Sequence, residues 1–333
     1  MTNGFRKTGL FIVMLVILTG LSSWGFLVHK TVQQLAIYQL PAPMIPLFYG
    51  HADQLIYDAV RPDIRRNNDS AEAPKHFIDL EDFGKEAAHQ MPLKWEAALE
   101  QYGKDSLLKY GYVPYQVVFL QQKLTEAFRE KNRDSILFYA ADMGHYIADA
   151  HVPLHTTNNY DGQLTGQNGL HSLWETMVPE IAIGGYQLAT NHQAQYLKEP
   201  AMAIWKAVRH ANALLPDVLA KEKEVSQNFT DAEKYRIQVR KGKEYKYYTS
   251  AFAKAYGAAL KTTVNDQLLA SAELTADFWF TSWVNAGKPD LSAIANWSEA
   301  KKTAYEQEYL LFRKNELLQS NKLQAKKTEP GAR

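Results

Sequence analysis

Histidines and carboxylates stand at helical spacing twice in this chain. In HYIADAHVPLH, residues 145–155, His145 and Asp149 are four apart, and in GLHSLWE, residues 169–175, His171 and Glu175 repeat the interval. Residues four apart share one face of an α-helix, so each pair directs an imidazole nitrogen and a carboxylate oxygen toward one point. That is a ligand pair for a divalent cation. Taken singly, such a pair is an ordinary surface ion pair worth little. Here His145 lies among Met143, Gly144 and Ile147, and His171 among Leu170, Leu173 and Trp174. A carboxylate buried in such company needs a cation beside it, and the doubling points to metal. His155 follows Pro153, which ends the first helix, and stands close enough to serve the same ion or an adjacent one.

The sequence contains no cysteine. Thiolate sites are therefore excluded, and any zinc is bound by nitrogen and oxygen, a set compatible with hydrolytic centres. Three further segments supply candidate ligands. KHFIDLED places His76 beside Phe77 and Ile78, RPDIRR places Asp63 among Arg61, Arg65 and Arg66, and WGFLVH places His29 five residues after Trp24. Read alone, the second is a solvated charged turn and the third an apolar helix start with one histidine. His151 is an extra histidine near the cluster without a ligand's place in it. His51, His89, His192 and His210 read as ordinary residues.

The elements that must carry these groups are helical. From Pro114 to Glu130, Val117, Val118, Leu120, Leu124 and Phe128 recur at three- and four-residue spacing, the pattern of an amphipathic helix. The same reading gives helices from Arg133 to about Ala150, from Ala201 to Lys221 with a kink at Pro216, and from Tyr247 to Asn285 with a stop at Gly287 and Pro289. Residues 156–169 read as a loop between helices, and the charged stretch from Lys221 to Tyr248 as a solvated excursion. Strand signals are nearly absent. The expected fold is all-α, a compact multi-helix single domain built around the His and carboxylate cluster.

The chain has 333 residues, 46% hydrophobic and 22% charged, with formal net charge +1. This balance excludes a general polyanion binder, so any contact with nucleic acid or an anionic membrane must come from a local patch or from bound cations. Arg6 and Lys7 precede an apolar run from Leu10 to Leu18, followed by Thr19, Gly20, Ser22 and Ser23. A membrane span needs about 20 apolar residues, and this run is shorter. It predicts a signal peptide over residues 1–23, cleaved after Ser23, and a secreted or periplasmic protein. Residues 24–320 then form one domain, and 321–333 a disordered tail.

In combination, WG-x-x-x-H, PDIRR, HFIDLED, HYIADAHVPLH and HSLWE resemble the superfamily that joins zinc-dependent phospholipases C to single-strand-specific zinc nucleases. The motifs span residues 24–175, and beyond them the likeness is carried mainly by FWFTSWVNAG. The resemblance implies three zinc ions. One would be held by the amine and carbonyl of Trp24 as mature N-terminus, with His29. A second would be held by Asp63, His76 and His145, with Asp149 bridging these two. The third would take His155, His171 and Glu175. It further implies a phosphate contact from Arg66, with Arg65 as the competing choice, and catalytic roles for Asp63 and Asp149 through the metals.

Two substrates fit that family. Phe77 and Asp79 match positions of the nuclease base pocket, where a base stacks on the ring and donates amino protons to the carboxylate. Glu175, where nucleases of this type usually carry Asp, and the AVRPDI context match the phospholipase C branch. The nuclease or nucleotidase reading, with single-stranded nucleic acid or a nucleotide as substrate, is the first choice, and a phospholipid the alternative. An exported zinc-binding protein without catalysis is a third reading. No obligate protein partner is implied.

Overall fold

The computed structural model describes residues 25–240 and 243–326. The expected signal peptide, Trp24 and residues 327–333 lie outside the described residues. The long helices are α1 (Phe26–Ile37), α2 (Val113–Arg129), α3 (Arg133–Asp149), α4 (Pro200–Ser226), α5 (Ser250–Ala259), α6 (Thr263–Asn285) and α7 (Glu299–Arg313). Short helical turns and loops join them, and the described strands form one antiparallel hairpin, β1 (Tyr235–Arg240) with β2 (Lys243–Tyr248). The all-α class holds. No described helix is long and apolar enough to cross a membrane.

Helix α2 follows its pattern: Val117, Leu120, Leu124 and Phe128 are buried, while Gln122, Lys123, Glu126 and Arg129 face outward. Helix α3 changes character along its length. It opens with Asn132 capping the amide of Ser135 at 3.0 Å, and from Ala140 onward every residue is buried. A helix buried all round lies inside the protein, and α1 is nearly the same, with ten of its residues buried. Helix α6 packs against α1, α2 and α3. The Trp279 indole on α6 donates to the carbonyl of Ala140 at 3.1 Å and lies 4.9 Å from the Phe48 ring.

The buried apolar residues form two clusters, and α1 and α3 belong to both. Ala36, Ile37, Ala140, Met143 and Ile147 face one cluster, whereas Val28, Val32, Leu35 and Ala148 face the other. His29, Gln33, His145 and Asp149 of these two helices are buried with them.

Four sequence expectations are corrected. The stretch 221–248 is not simply a solvated excursion: α4 runs through Pro216 to Ser226, the hairpin follows, and Glu222, Val225 and Tyr248 are buried. The charge of Glu222 is tolerated because Lys234 Nζ lies 2.6 Å from it. The span 247–285 holds the end of β2 and then two helices, since Lys261 between them adopts φ +54°, which no α-helix continues through. Residues 321–326 are packed: Leu323 is buried, and Gln34 of α1 donates to the Lys322 carbonyl at 2.8 Å and accepts from the Gln324 amide at 2.8 Å. The fourth concerns the His171 helix. Leu170–Ser172 is one α-turn that widens into a π-helix over Leu173–Met177, a distortion common at functional sites.

Candidate metal centre

The approach of α1 to α3 sets the first part of the site. A Cβ on Gly144 would lie 2.4 Å from Gln33 Nε2, so only glycine admits the Gln33 side chain, which donates to the Ala141 carbonyl at 2.8 Å. His29 stands one turn before Gln33, and His145 one turn after Ala141. Their rings consequently stack, with centroids 3.9 Å apart and planes at 14°. His29 Nε2 lies 3.6 Å from Asp149 Oδ1.

His76 reaches the same place from a strap. The amide of Ile78 donates to the His155 carbonyl at 2.9 Å, that of Asp79 to Tyr110 at 2.7 Å, and that of Val113 to Phe77 at 3.1 Å. Burial alternates along this strap: His76, Ile78 and Leu80 are buried, while Phe77 and Asp79 are half-buried. His76 Nδ1 then lies 2.9 Å from Asp149 Oδ2 and 3.8 Å from Asp63 Oδ1. His145 Nε2 lies 3.1 Å from His76 Nδ1, 3.2 Å from Asp149 Oδ2 and 3.8 Å from Asp63 Oδ1. The other nitrogen of His145, Nδ1, is 2.8 Å from the Ala59 carbonyl. That contact fixes the tautomer with Nε2 bare for a metal.

The third part gathers where the chain leaves α3. Pro153–Thr156 forms a 3₁₀ turn carrying His155, and the loop returns to Leu170 through Gly169 at φ +93°. Asp161 orders the return, accepting from the Gly169 amide at 2.9 Å and the His171 amide at 3.3 Å. His155 Nε2 lies 2.9 Å and His171 Nε2 2.7 Å from Glu175 Oε1, and the two imidazole nitrogens are 2.9 Å apart. Asp149 Oδ1 is 3.6 Å from His155 Nδ1, which links this part to the others.

Three groups of residues can therefore each hold a metal ion: His29, His145 and Asp149; Asp63, His76 and His145; and His155, His171 and Glu175. The donor set fits zinc, whose bonds of about 2.0–2.2 Å set tetrahedral ligand atoms roughly 3.4 Å apart. Both carboxylate oxygens of Asp63 and Oε2 of Glu175 are buried without a hydrogen bond from protein. Such orphaned acids are costly without a cation. Burial pushes the Asp63 carboxyl up to about 6, with Asp149 adding repulsion. Burial acts the same way on Asp149 and Glu175, yet His145 and His155 hold Asp149, and His171 and His155 hold Glu175, below the usual carboxylate range.

Around the ligands the charges are committed unequally. Arg65 is bound to Glu72 at 2.9 and 3.0 Å, to Asp142 at 3.0 Å and to the Tyr146 hydroxyl at 3.2 Å. Arg66, about as exposed as Arg65, instead stands 3.8 Å from Asp63 Oδ1, and its charge reaches His155. Glu72, buried behind His76 at 3.7 Å from Nε2, is also held by Lys75 at 2.7 Å and by the Tyr146 hydroxyl. Sequence reading missed it, because AEAPK reads as a surface turn. His151 turns from the cluster, its Nδ1 2.7 Å from the Ile147 carbonyl, and burial lowers it to about 4. His192 pairs with Asp277 at 2.8 Å.

Asp79 lies within electrostatic reach of His155, but burial, together with Asp82 and Glu81, pushes its carboxyl up to about 7. Phe77 packs on Gly111, where a Cβ would fall 2.2 Å from the Phe77 carbonyl oxygen and 2.7 Å from its ring. Gly111 takes φ +87° there, a conformation costly for other residues.

No known protein-family model matches the chain. Nuclease S1 of Aspergillus oryzae (strain ATCC 42149 / RIB 40) is 27% identical to it over 184 residues, covering 50% of this chain and 58% of the nuclease. The chain thus matches less than two thirds of that relative's length. Over half its length the chain is thus similar to a nuclease, and it brings together three His and carboxylate groups that could each hold a metal ion.

Proposed function

We propose that this chain is an exported hydrolase with three zinc ions that cleaves phosphodiester bonds in single-stranded nucleic acid or nucleotides. The observation that carries the reading is the contiguity of the three groups, with Asp149 within 3.6 Å of His29, His76, His145 and His155. Trp24, His29 and Asp149 would hold the first ion, Asp63, His76, His145 and Asp149 the second, and His155, His171 and Glu175 the third. Zinc bound there would supply Lewis acidity to the phosphoryl group and activate water near neutral pH.

The chain's own side chains do the rest. Arg66, at the rim beside Asp63 while Arg65 is fully engaged, offers a planar fork to a phosphate. Phe77, fixed against Gly111, offers a ring face to a base, and Asp79 accepts its amino protons when ionised. A panel on zinc-loaded mature protein tests this: single-stranded DNA, RNA, a 3′-nucleotide and phosphatidylcholine. Turnover of the nucleic-acid substrates is expected, with Arg66→Ala lowering kcat/KM roughly 10²-fold. Cleavage of phosphatidylcholine alone would move the substrate to phospholipids. Full zinc content without hydrolysis of any of the four would leave a metal-binding protein.

A further inference from the structure

Away from the metal centre, the densest positive charge lies on the β1–β2 hairpin. Residues 235–248 contain Arg236, Arg240, Lys241, Lys243 and Lys246 against a single acid, Glu244, in a chain of formal net charge +1. The register pairs Arg236 with Tyr247 and Gln238 with Tyr245. Side chains alternate across a strand, so these four share one face. On it the Arg236 guanidinium stands 5.7 Å from the centre of the Tyr247 ring, and Tyr245 is 40% exposed. The opposite face shows Ile237 and Val239, 57% and 66% exposed. Arg236 and Tyr245 on one face and Ile237 and Val239 on the other are thus exposed.

The base of the ribbon is tied to the site. Tyr235 and Tyr248 pack at 5.1 Å between ring centroids. The Tyr248 hydroxyl donates to buried Glu222 at 3.0 Å, and Gln167 donates to the same carboxylate at 2.6 Å. The Tyr248 ring also lies against Gly169, at ordinary contact distance from where a Cβ would be. Gln167 and Gly169 belong to the loop that delivers His171. The hairpin is therefore rooted beside the third metal group, and six residues per strand carry it about 20 Å outward.

We propose that this hairpin is an accessory grip for single-stranded nucleic acid, in which Tyr245 and Tyr247 stack on bases and Arg236 binds phosphate. Its occupant rests on the phosphodiesterase reading of the metal centre. Bases and phosphates alternate along a single strand, and a face interleaving aromatic rings with a guanidinium matches that alternation. An anionic lipid surface would call on charge and the apolar pair Ile237 and Val239, which stand on the other face.

The test compares wild type with Arg236→Thr/Tyr245→Thr/Tyr247→Thr, which keeps residues suited to strands, and with Arg236→Glu, which leaves both tyrosines. Fluorescence anisotropy of a labelled 20-mer of thymidylate measures binding across salt, and kcat and KM are taken for that 20-mer and for a thymidine dinucleotide. In the triple variant we expect 20-mer affinity and KM to worsen about tenfold or more while dinucleotide kinetics stay unchanged. In Arg236→Glu the salt slope of binding should fall by about 0.7, one phosphate contact on a single strand. Unchanged 20-mer binding in both variants would overturn the grip. So would binding to phosphatidylglycerol vesicles that the variants lose while 20-mer affinity stays intact. If wild type hydrolyses neither oligomer, the nuclease reading fails, and the anisotropy still decides the hairpin's role.

Discussion

The imidazole of His29 lies flat on that of His145, 3.9 Å away, and the residue that permits this is Gly144. Its missing side chain leaves the space taken by Gln33 Nε2, whose hydrogen bond to the Ala141 carbonyl clamps α1 to α3 one turn from the stacked rings.

Gly144→Ala forces Gln33 out of that bond and leaves the buried groups unpaired, at a cost of about 1–3 kcal/mol. Gln33→Ala alone loses the bond without a clash. The double variant should therefore be no worse than Gly144→Ala, giving a favourable coupling in a double-mutant cycle. Chemical denaturation of the four proteins measures it. Strict additivity would show that the glycine serves some other purpose than admitting Gln33.

Asp149→Asn and His155→Ala should abolish turnover, whereas His151→Ala should retain most of it and lose stability by no more than about 1–3 kcal/mol. His151 is as buried as the others, yet its ring nitrogen faces the Ile147 carbonyl and burial keeps it neutral. Zinc content by elemental analysis should stay near three ions per chain in His151→Ala. Loss of an ion there would mean that the metal shell is assigned wrongly.

The ligand clusters were legible because two of them use helical spacing, which sequence displays directly. His145 with Asp149 and His171 with Glu175 need no tertiary knowledge, although the second pair sits on a turn that widens to a π-helix. Asp63, His76 and His29 stood out only as candidates, and their assignment to particular ions came from resemblance, since nothing local ties them to α3. Glu72 and Gln33 were not found at all: their roles come from burial against residues 74 and 108 positions away. The hairpin was hidden by its charge. Lysines and arginines that read as a solvated excursion alternate with tyrosines whose period of two only becomes meaningful once Tyr248 is seen buried on Glu222.

Glu72→Gln removes the buried charge that Arg65, Lys75 and Tyr146 surround. Arg65 and Lys75 keep some access to solvent, so the expected loss is about 2–4 kcal/mol, at the low end for a broken buried pair. Because Glu72 also backs His76, zinc affinity should weaken about 10–100-fold. Competition with a coloured chelator reads the second effect. A stability loss with unchanged zinc affinity would separate Glu72 from the metal centre.

Asp79→Asn should change the pH dependence of stability. Burial, with Asp82 and Glu81, raises the Asp79 carboxyl to about 7 in the folded protein, above the unfolded value of about 3.9. Its contribution is full below the unfolded value and is lost as pH rises through the folded one. The amide does not titrate, so the variant's melting temperature should gain on wild type between pH 5 and pH 8. Thermal scans across that range decide it, and a constant difference would count against a raised carboxyl.

Trp24 directly precedes the described residues. With Nδ1 of His145 committed to Ala59, its Nε2 serves one ion, and the contacts to His76 and Asp63 place that ion in the second group. Among the described residues this leaves His29 and Asp149 for the first ion, two ligands where zinc takes four. Gly25, whose amide donates to the Glu175 carbonyl at 3.2 Å, sits at the start of α1 one turn from His29. A free amine on Trp24, with an unperturbed pKa of about 7.7–8.0, can lose its proton to zinc and, with the Trp24 carbonyl, complete the set, whereas a peptide nitrogen cannot do so in the same way. Protein beginning at Trp24 should therefore bind one more zinc ion than protein carrying a single extra methionine, and should be at least about 10²-fold more active. Mass spectrometry fixes each terminus, and elemental analysis with phosphodiester hydrolysis compares the two. Equal zinc and equal rates would remove the terminal amine from the metal shell.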